Sequence, residues 1–555
     1  MTIRIFEEEP YGFGPDQRPL VAGGPARAPQ PPRRRALYGL VGLLLGLSGG
    51  LNNALVSVNL PYLLGAVRAD AAEAAWISVA YSMTYVSMNL LLVRFRQQFG
   101  LRLFAMIALT AFCGMILLHV VVPGLSGAVL IHGFAGMATA PFTTMSVYYL
   151  MAAMPPAGAV RGVILGLGLS QIPTFLARLF SPDLLAIDQW RSLYMFEFGL
   201  ALLCLGSVAL LRLPPSQRTP AFERLDFLTY PLFAGGAALL CAVLGLGRTD
   251  WWTDRPWLGW ALAAAILMLG AAFYVESRRA NPLLDLRWLT GPNIVRFAVV
   301  VFMSKIVLSE QTVSAIGLLN TLGVTNDELV QFSLILTLSS IAGVISAAWL
   351  FKPNRLTEIA ILAIGLVAVG AFMDSHATNL TRPEQLYASQ AMIAFATTFF
   401  IGPALLFGMS FVLQQRGRPL ASYLVLFVVL QTVGSLAGSA LLGTFQEVRE
   451  KAASAELSRL APPDNPIVAA RMRVGAGALG AVVGDPAQRA AEGVGLLQLQ
   501  ERREANILAY NQTFTLVAVL AALTTLYLGF IQLRHRLRGE PLSAAVTALR
   551  PRPAP

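Results

Sequence analysis

Charge is scarce in this sequence. Of 555 residues, 41 are Lys or Arg and 30 are Asp or Glu, 13% in all, where a soluble domain carries about a quarter. With 56% hydrophobic residues, that composition excludes an ordinary soluble globular chain. Cysteine is rarer still. Cys113, Cys204 and Cys241 all fall in apolar runs, so no disulfide or metal framework follows from them. There is no phosphate loop of the G-x-x-x-x-G-K type, no H-E-x-x-H and no nucleophile elbow. An ATP-driven or hydrolytic reading has nothing to rest on, and neither a catalytic residue, a metal nor a cofactor is expected.

Long apolar runs are what the sequence does have. Fourteen are long enough, as helices, to cross about 30 Å of hydrocarbon: 37–61, 73–93, 103–123, 127–150, 162–182, 192–211, 226–246, 257–275, 297–319, 329–350, 357–374, 387–412, 420–443 and 508–532. Glycine and proline inside them do not argue against helix in a membrane. The first run is too long for the apolar core of a signal peptide. The formal charge of +11 follows the same plan. With the N-terminus cytoplasmic, the short cytoplasmic loops hold 15 Lys and Arg, the tails 11 and the short outer loops 5. That bias predicts both termini in the cytoplasm of a multi-pass inner-membrane protein. "PPRRRA" and "LRHRLRG" then lie against anionic headgroups. The basic charge reports orientation and gives no reason to expect a nucleic-acid partner.

The spacing of the runs predicts an all-α integral membrane fold in five parts. Residues 1–36 are a Pro-rich, disordered tail and 37–212 a six-helix bundle. Residues 213–280 are a linker and inserted helical hairpin. Residues 281–532 are a second six-helix bundle, and 533–555 a second cytoplasmic tail. Segment 446–506 carries eight basic and eight acidic residues and falls outside the membrane. It reads as two charged helices, 446–460 and 486–505, around a loose Gly-rich middle, either a solvated cap or a docking surface.

Five stretches in order carry a family resemblance: "LNNALVSVNLP" (51–61), "EAAWISVAYSMTY" (73–85), "WRSLYMFE" (190–197), "NPLLDLRWL" (281–289) and "ANILAYNQTF" (505–514). In them the chain resembles the fourteen-span drug:proton antiporter branch of the major facilitator superfamily, the EmrB/QacA type. The resemblance implies a major facilitator fold and export of a hydrophobic or amphipathic compound against protons. It also implies a periplasmic adaptor and an outer-membrane channel as partners in tripartite efflux. Departures from the pattern are specific. Asn52 stands where the first-span motif has an acid. "VRFRQQFG" (93–100) keeps Gly100 of the loop motif but has Gln97 and Gln98 for its charged pair. His132 takes the place of the fourth-span Arg. Gly168 and Pro173 survive from the fifth-span motif, with Arg178 close behind.

An ionised side chain near the bilayer centre costs on the order of 3 kcal/mol or more, so those present face the bundle interior. Lys305 and Glu310 in "FMSKIVLSEQTV" are separated by about 140° around a helix of about 3.6 residues per turn. Each therefore needs its own partner on another helix. They are either fixed structural pairs or a proton-coupling carboxylate with a tuning cation. His132 is the other candidate for proton coupling, against the plainer reading of a packed interface histidine. Arg178 and Glu197 read as an ion pair near the outer ends of spans five and six. Asn52, Asn53, Asn59, Tyr81, Tyr85, Asn89 and Gln431 are candidates to line a pathway, or simply join helices by hydrogen bonds. The alternatives to proton-driven multidrug export are a dedicated metabolite exporter, an uncoupled facilitator, and a non-transporting scaffold or sensor.

Overall fold

The computed structural model describes residues 24–25, 30–122, 124–155, 158–214, 216, 221–415, 418–462 and 464–538. Most of both expected tails lies outside these residues.

The first six-helix unit comprises α1 (Pro32–Val67), α2 (Ala71–Phe99), α3 (Leu101–Val121), α4 (Leu125–Ala153), α5 (Ala159–Leu169) and α6 (Pro173–Leu210). The inserted pair is α7 (Asp226–Leu246) and α8 (Pro256–Ser277), followed by the short α9 (Leu286–Leu289). The remaining helices are α10 (Pro292–Leu308), α11 (Ile316–Thr321), α12 (Val330–Leu350), α13 (Leu356–Asp374) and α14 (Tyr387–Gln414). They are followed by α15 (Leu420–Leu460), α16 (Pro466–Ala478) and α17 (Pro486–Leu537). Among the described residues, 13 helices are long and apolar enough to cross a membrane. A bent pair, Ala159–Leu169 with Pro173–Leu185, supplies a fourteenth. The chain is a multi-pass membrane protein. Helices are the form its sequence permits in hydrocarbon, because each satisfies its own backbone polar groups.

Two cores form. Tyr38, Leu45, Phe112, Phe142 and Cys204 bury one within the first six helices. Phe297, Ala363, Phe399, Tyr423 and Val517 bury the other, to which α5 contributes Ile164. The inserted pair belongs to neither. Its Phe233 and Cys241 pack with Val86 and Leu90 of α2 and with Val425 of α15, so it straddles the two bundles.

Two local features set the geometry of the interior. The fifth span breaks at Ser170–Ile172 with a 46° bend. Pro173 has no N–H to continue the helix behind it, and its ring fills the space left by Gly50 of α1. In the ninth span, Gln311–Ala315 form one π turn immediately after Glu310. Such turns are frequent at functional positions because they free backbone and re-aim side chains.

The segment after span thirteen differs from expectation in its middle. Its two outer helices are continuations of α15 and α17, whose 41 and 52 residues reach about 60 and 78 Å at 1.5 Å per residue. The connection between them is helical in its first part, where α16 is started by the Asn465 side chain, which accepts from Ile467 N, and by Pro466; residues 479–485 of the Gly-rich stretch are turn and irregular chain. Gly493 of α17 lets α16 come close, since a Cβ there would strike the Met472 carbonyl.

Candidate functional site

A cavity of about 390 Å³ lies between the bundles. Tyr85, Asn89, Thr144, Leu167, Met409 and Phe427 are among the residues that line it. They come from the termini-side halves of α2, α4, α5, α14 and α15. The lining is mostly apolar. Among its described residues Arg96 alone is charged; the guanidinium bonds the Tyr148 hydroxyl and lies 5.3 Å from that ring's centre.

On the far side the bundles meet. Lys305 Nζ crosses from α10 to donate to Gln171 Oε1, in the break of the fifth span, at 2.9 Å. Nearer the opposite membrane face, Asn326 Nδ2 donates to Asn59 Oδ1 at 3.2 Å. Phe175 of α6 joins Leu318, Phe332 and Phe514 of the second bundle in an apolar cluster. The space between the bundles is thus closed toward the face remote from the termini.

Glu310 is fully buried and meets neither Lys305 nor His132. Its Oε1 accepts from Gln390 Nε2 at 3.0 Å, and the same amide donates to Asp374 Oδ2 at 2.7 Å. An amide has two protons to give, so Gln390 bridges two carboxyls. Gln311 Nε2 in turn donates to the Gln390 carbonyl and side-chain oxygens at 3.0 and 3.2 Å. Glu310 Oε2 has no partner, and among the described residues no cation lies within ion-pair distance of either carboxyl. Asp374, Gln390, Gln311 and Gln171 escaped the sequence reading. Asp374 ends a span, and three neutral amides gave no charge signal.

The first bundle holds a second polar group. Asn52 Nδ2 donates to Glu197 Oε2 at 2.8 Å. Glu197 therefore pairs with the asparagine that stands where the resembled first-span motif has an acid. No ion pair joins it to Arg178 among the described residues. His132 is buried, its ring 5.7 Å from His119 and 5.4 Å from Tyr81, with neither nitrogen bonded among the described residues. His119 stacks on Tyr194 at 4.3 Å. Tyr81 bonds Thr139 at 2.7 Å and stacks with Tyr85. Asn59 donates to Ser181 at 2.6 Å, and Asn89 to the Tyr85 carbonyl at 2.7 Å. Asn53 Oδ1 and both amide atoms of Gln431 are buried without a partner among the described residues. Of the pathway candidates, Tyr85 and Asn89 line the cavity.

The altered loop motif is also accounted for. Gly100 takes φ 81° where α2 turns into α3, a conformation that suits glycine. Arg94 lies 3.5 Å from Asp226 at the start of α7, and Gln98 accepts from Ala221 N at 2.7 Å. Arg279 then binds Asp226, Glu276 and Glu223 at 2.7, 2.7 and 2.9 Å. The charge network runs to the inserted hairpin. Hydrogen bonds from Arg279 and Asn281, with the guanidinium charges, hold the Glu223 carboxyl below its ordinary 4.5. Burial lowers Arg279, but the bonds to Asp226, Glu223 and Glu276 outweigh it and raise its proton affinity.

No protein-family model matches this chain, and no curated protein matches it. Among solved structures it is similar to the human organic anion transporter MFSD10 (TETRAN), with a TM-score of 0.50 and 13% identity, over 89% of this chain and 100% of that one. It is also similar to a mutant of the nucleoside transporter NupG, with a TM-score of 0.50 and 12% identity, over 88% and 98%. At such identities the likeness is one of fold. The chain has the major facilitator fold, two six-helix bundles with an inserted helical pair.

Proposed function

We propose that this protein is a secondary transporter working by alternating access, which exports hydrophobic or amphipathic organic compounds by proton antiport. The observation that carries the reading is the apolar cavity between two bundles, on the termini side of the Lys305–Gln171 and Asn59–Asn326 contacts. A lining without a described carboxylate, and with Arg96 in it, favours neutral or anionic amphiphiles over cationic ones. By the distribution of Lys and Arg the cavity side is cytoplasmic, and the site loads from within a bacterial inner membrane. Partnership with a periplasmic adaptor and an outer-membrane channel is part of the same reading, and the exposed α15–α16–α17 protrusion is the surface for it.

The proton side of the cycle belongs to Glu310. Uncompensated charge in a dry interior costs several kcal/mol, and among the described residues Glu310 with Asp374 has no cation to offset it. A proton bound there favours the closed packing seen here; its release favours repacking of α10, α13 and α14. Each proton entering down about 100 mV supplies about 2.3 kcal/mol for uphill export.

The test uses purified protein in vesicles, with a fluorescent anionic amphiphile and a neutral one as probes. Thr144→Trp, which fills the cavity from α4, is expected to abolish binding of both probes while leaving the melting temperature unchanged. Unchanged binding by a folded Thr144→Trp protein would remove the cavity from the transport path.

A further inference from the structure

A second cavity, of about 450 Å³, lies wholly within the second bundle, between α10, α13, α14 and α17. Its wall is aromatic and apolar, with Phe297, Phe400, Phe407 and Phe411 inside, and Tyr527 and Phe530 on its outward edge. Phe530 is 64% exposed and Tyr527 46%, so the cavity opens sideways to lipid and not toward the interbundle space. Arg296, in the first turns of α10, and Arg534, in the last turn of α17, stand at its termini-side mouth. Among the described residues neither guanidinium has a carboxylate within ion-pair distance, and no Asp or Glu lines the cavity. Glu358, in the first turn of α13 beside the lining residue Thr357, is engaged by Arg355 and Arg536.

Depth decides what fits. Gln414 and Phe400, the ends of the α14 wall, are fourteen residues apart, about 21 Å along a helix. That is the scale of one leaflet with its headgroup region, half of a bilayer about 40–45 Å thick. A free anion would use only the mouth; the slot below it suits an acyl chain. Paired guanidinium groups at the headgroup level suit a phosphate diester, which they bind by charge-assisted hydrogen bonds.

We propose that this cavity is a binding site for one anionic phospholipid, its phosphate on Arg296 and Arg534 and one acyl chain along the Phe297–Phe407–Phe400 slot. The lipid seats α17 against α10 and α14 in the second bundle, apart from the transport cavity.

Full-length protein in neutral detergent is mixed with equal amounts of phosphatidylglycerol and phosphatidylcholine, and retained lipid is read by native mass spectrometry. Two cationic contacts near a headgroup imply a preference for phosphatidylglycerol on the order of tenfold or more. The preference is expected to vanish in Arg296→Gln/Arg534→Gln and to persist in Arg278→Gln, a cation on the same face outside the cavity. Ala360→Trp, which blocks the slot without touching charge, is expected to lose the bound lipid. Equal retention of the two lipids by the wild-type protein would overturn the proposal, whatever the variants do. So would full displacement of the lipid by inorganic phosphate, which would make the mouth a plain anion site.

Discussion

Glu310 and Asp374 meet through the amide of Gln390, with no cation in reach among the described residues, so the cost of their burial falls on hydrogen bonds. Gln390→Leu keeps the volume roughly but leaves buried Glu310 without its donor and Asp374 with Ser389 alone, at a cost of about 1–3 kcal/mol or more, since the groups are charged or chargeable. A lowered melting temperature for purified Gln390→Leu is the expected outcome, with Gln311→Leu milder because it orients Gln390 and touches neither carboxyl. At this scale the sequence was half legible. Lys305 and Glu310 announced themselves as charges in an apolar run, and helix geometry correctly put them on different faces. Their partners were hidden because Gln171 and Gln390 lie 134 and 80 residues away in the chain. Pairing Glu197 with Arg178 followed chain proximity, whereas the actual partner, Asn52, comes from a different helix.

Elements were legible where hydrophobic length defines them and illegible where a neighbour does. The apolar runs located the spans, and Asp70 with Glu73 form the capping box that starts α2. The π turn after Glu310 and the docking of α16 on α17 are set by contacts across the fold and leave no local signature. Gly493→Leu is expected to push α16 off α17. Protease should then cut the protrusion faster in Gly493→Leu, while the membrane core keeps its melting temperature. The hairpin clamp offers a pH test. Glu223 has its folded proton affinity depressed, so its contribution is complete above the ordinary 4.5 and is lost only as pH falls through the lower folded value. The hairpin should therefore stay anchored at pH 5–7 in the wild type and loosen in stronger acid. Arg279→Gln leaves Glu276 without its cation and Asp226 with Arg94 alone, and is expected to cost about 3–5 kcal/mol even at pH 7. The check is thermal melting at both pH values.

Across the whole molecule, the 6 + 2 + 6 arrangement was readable because polar linkers set off the seventh and eighth apolar runs from the six on either side. How the bundles face each other was not, because that depends on small surfaces such as Gly168 against Val344 and Gly402 against Ile164. The Asn59–Asn326 contact marks where the bundles must part for the opposite state to open. Cysteines at both positions, joined by a short reducible crosslinker in a background lacking Cys113, Cys204 and Cys241, are expected to stop transport, with reductant restoring it. Continued transport by the crosslinked protein would mean that this contact does not open.

In the proposed cycle Glu310 couples proton movement to this opening. Glu310→Gln preserves shape and one hydrogen bond but carries no exchangeable charge. Purified wild-type and Glu310→Gln proteins in vesicles, under an imposed pH gradient, provide the direct comparison. Substrate-dependent proton flux and uphill transport are expected from the wild type and not from Glu310→Gln, while substrate binding is kept by both. Uphill, proton-driven transport by a folded Glu310→Gln protein would rule out coupling through this carboxyl.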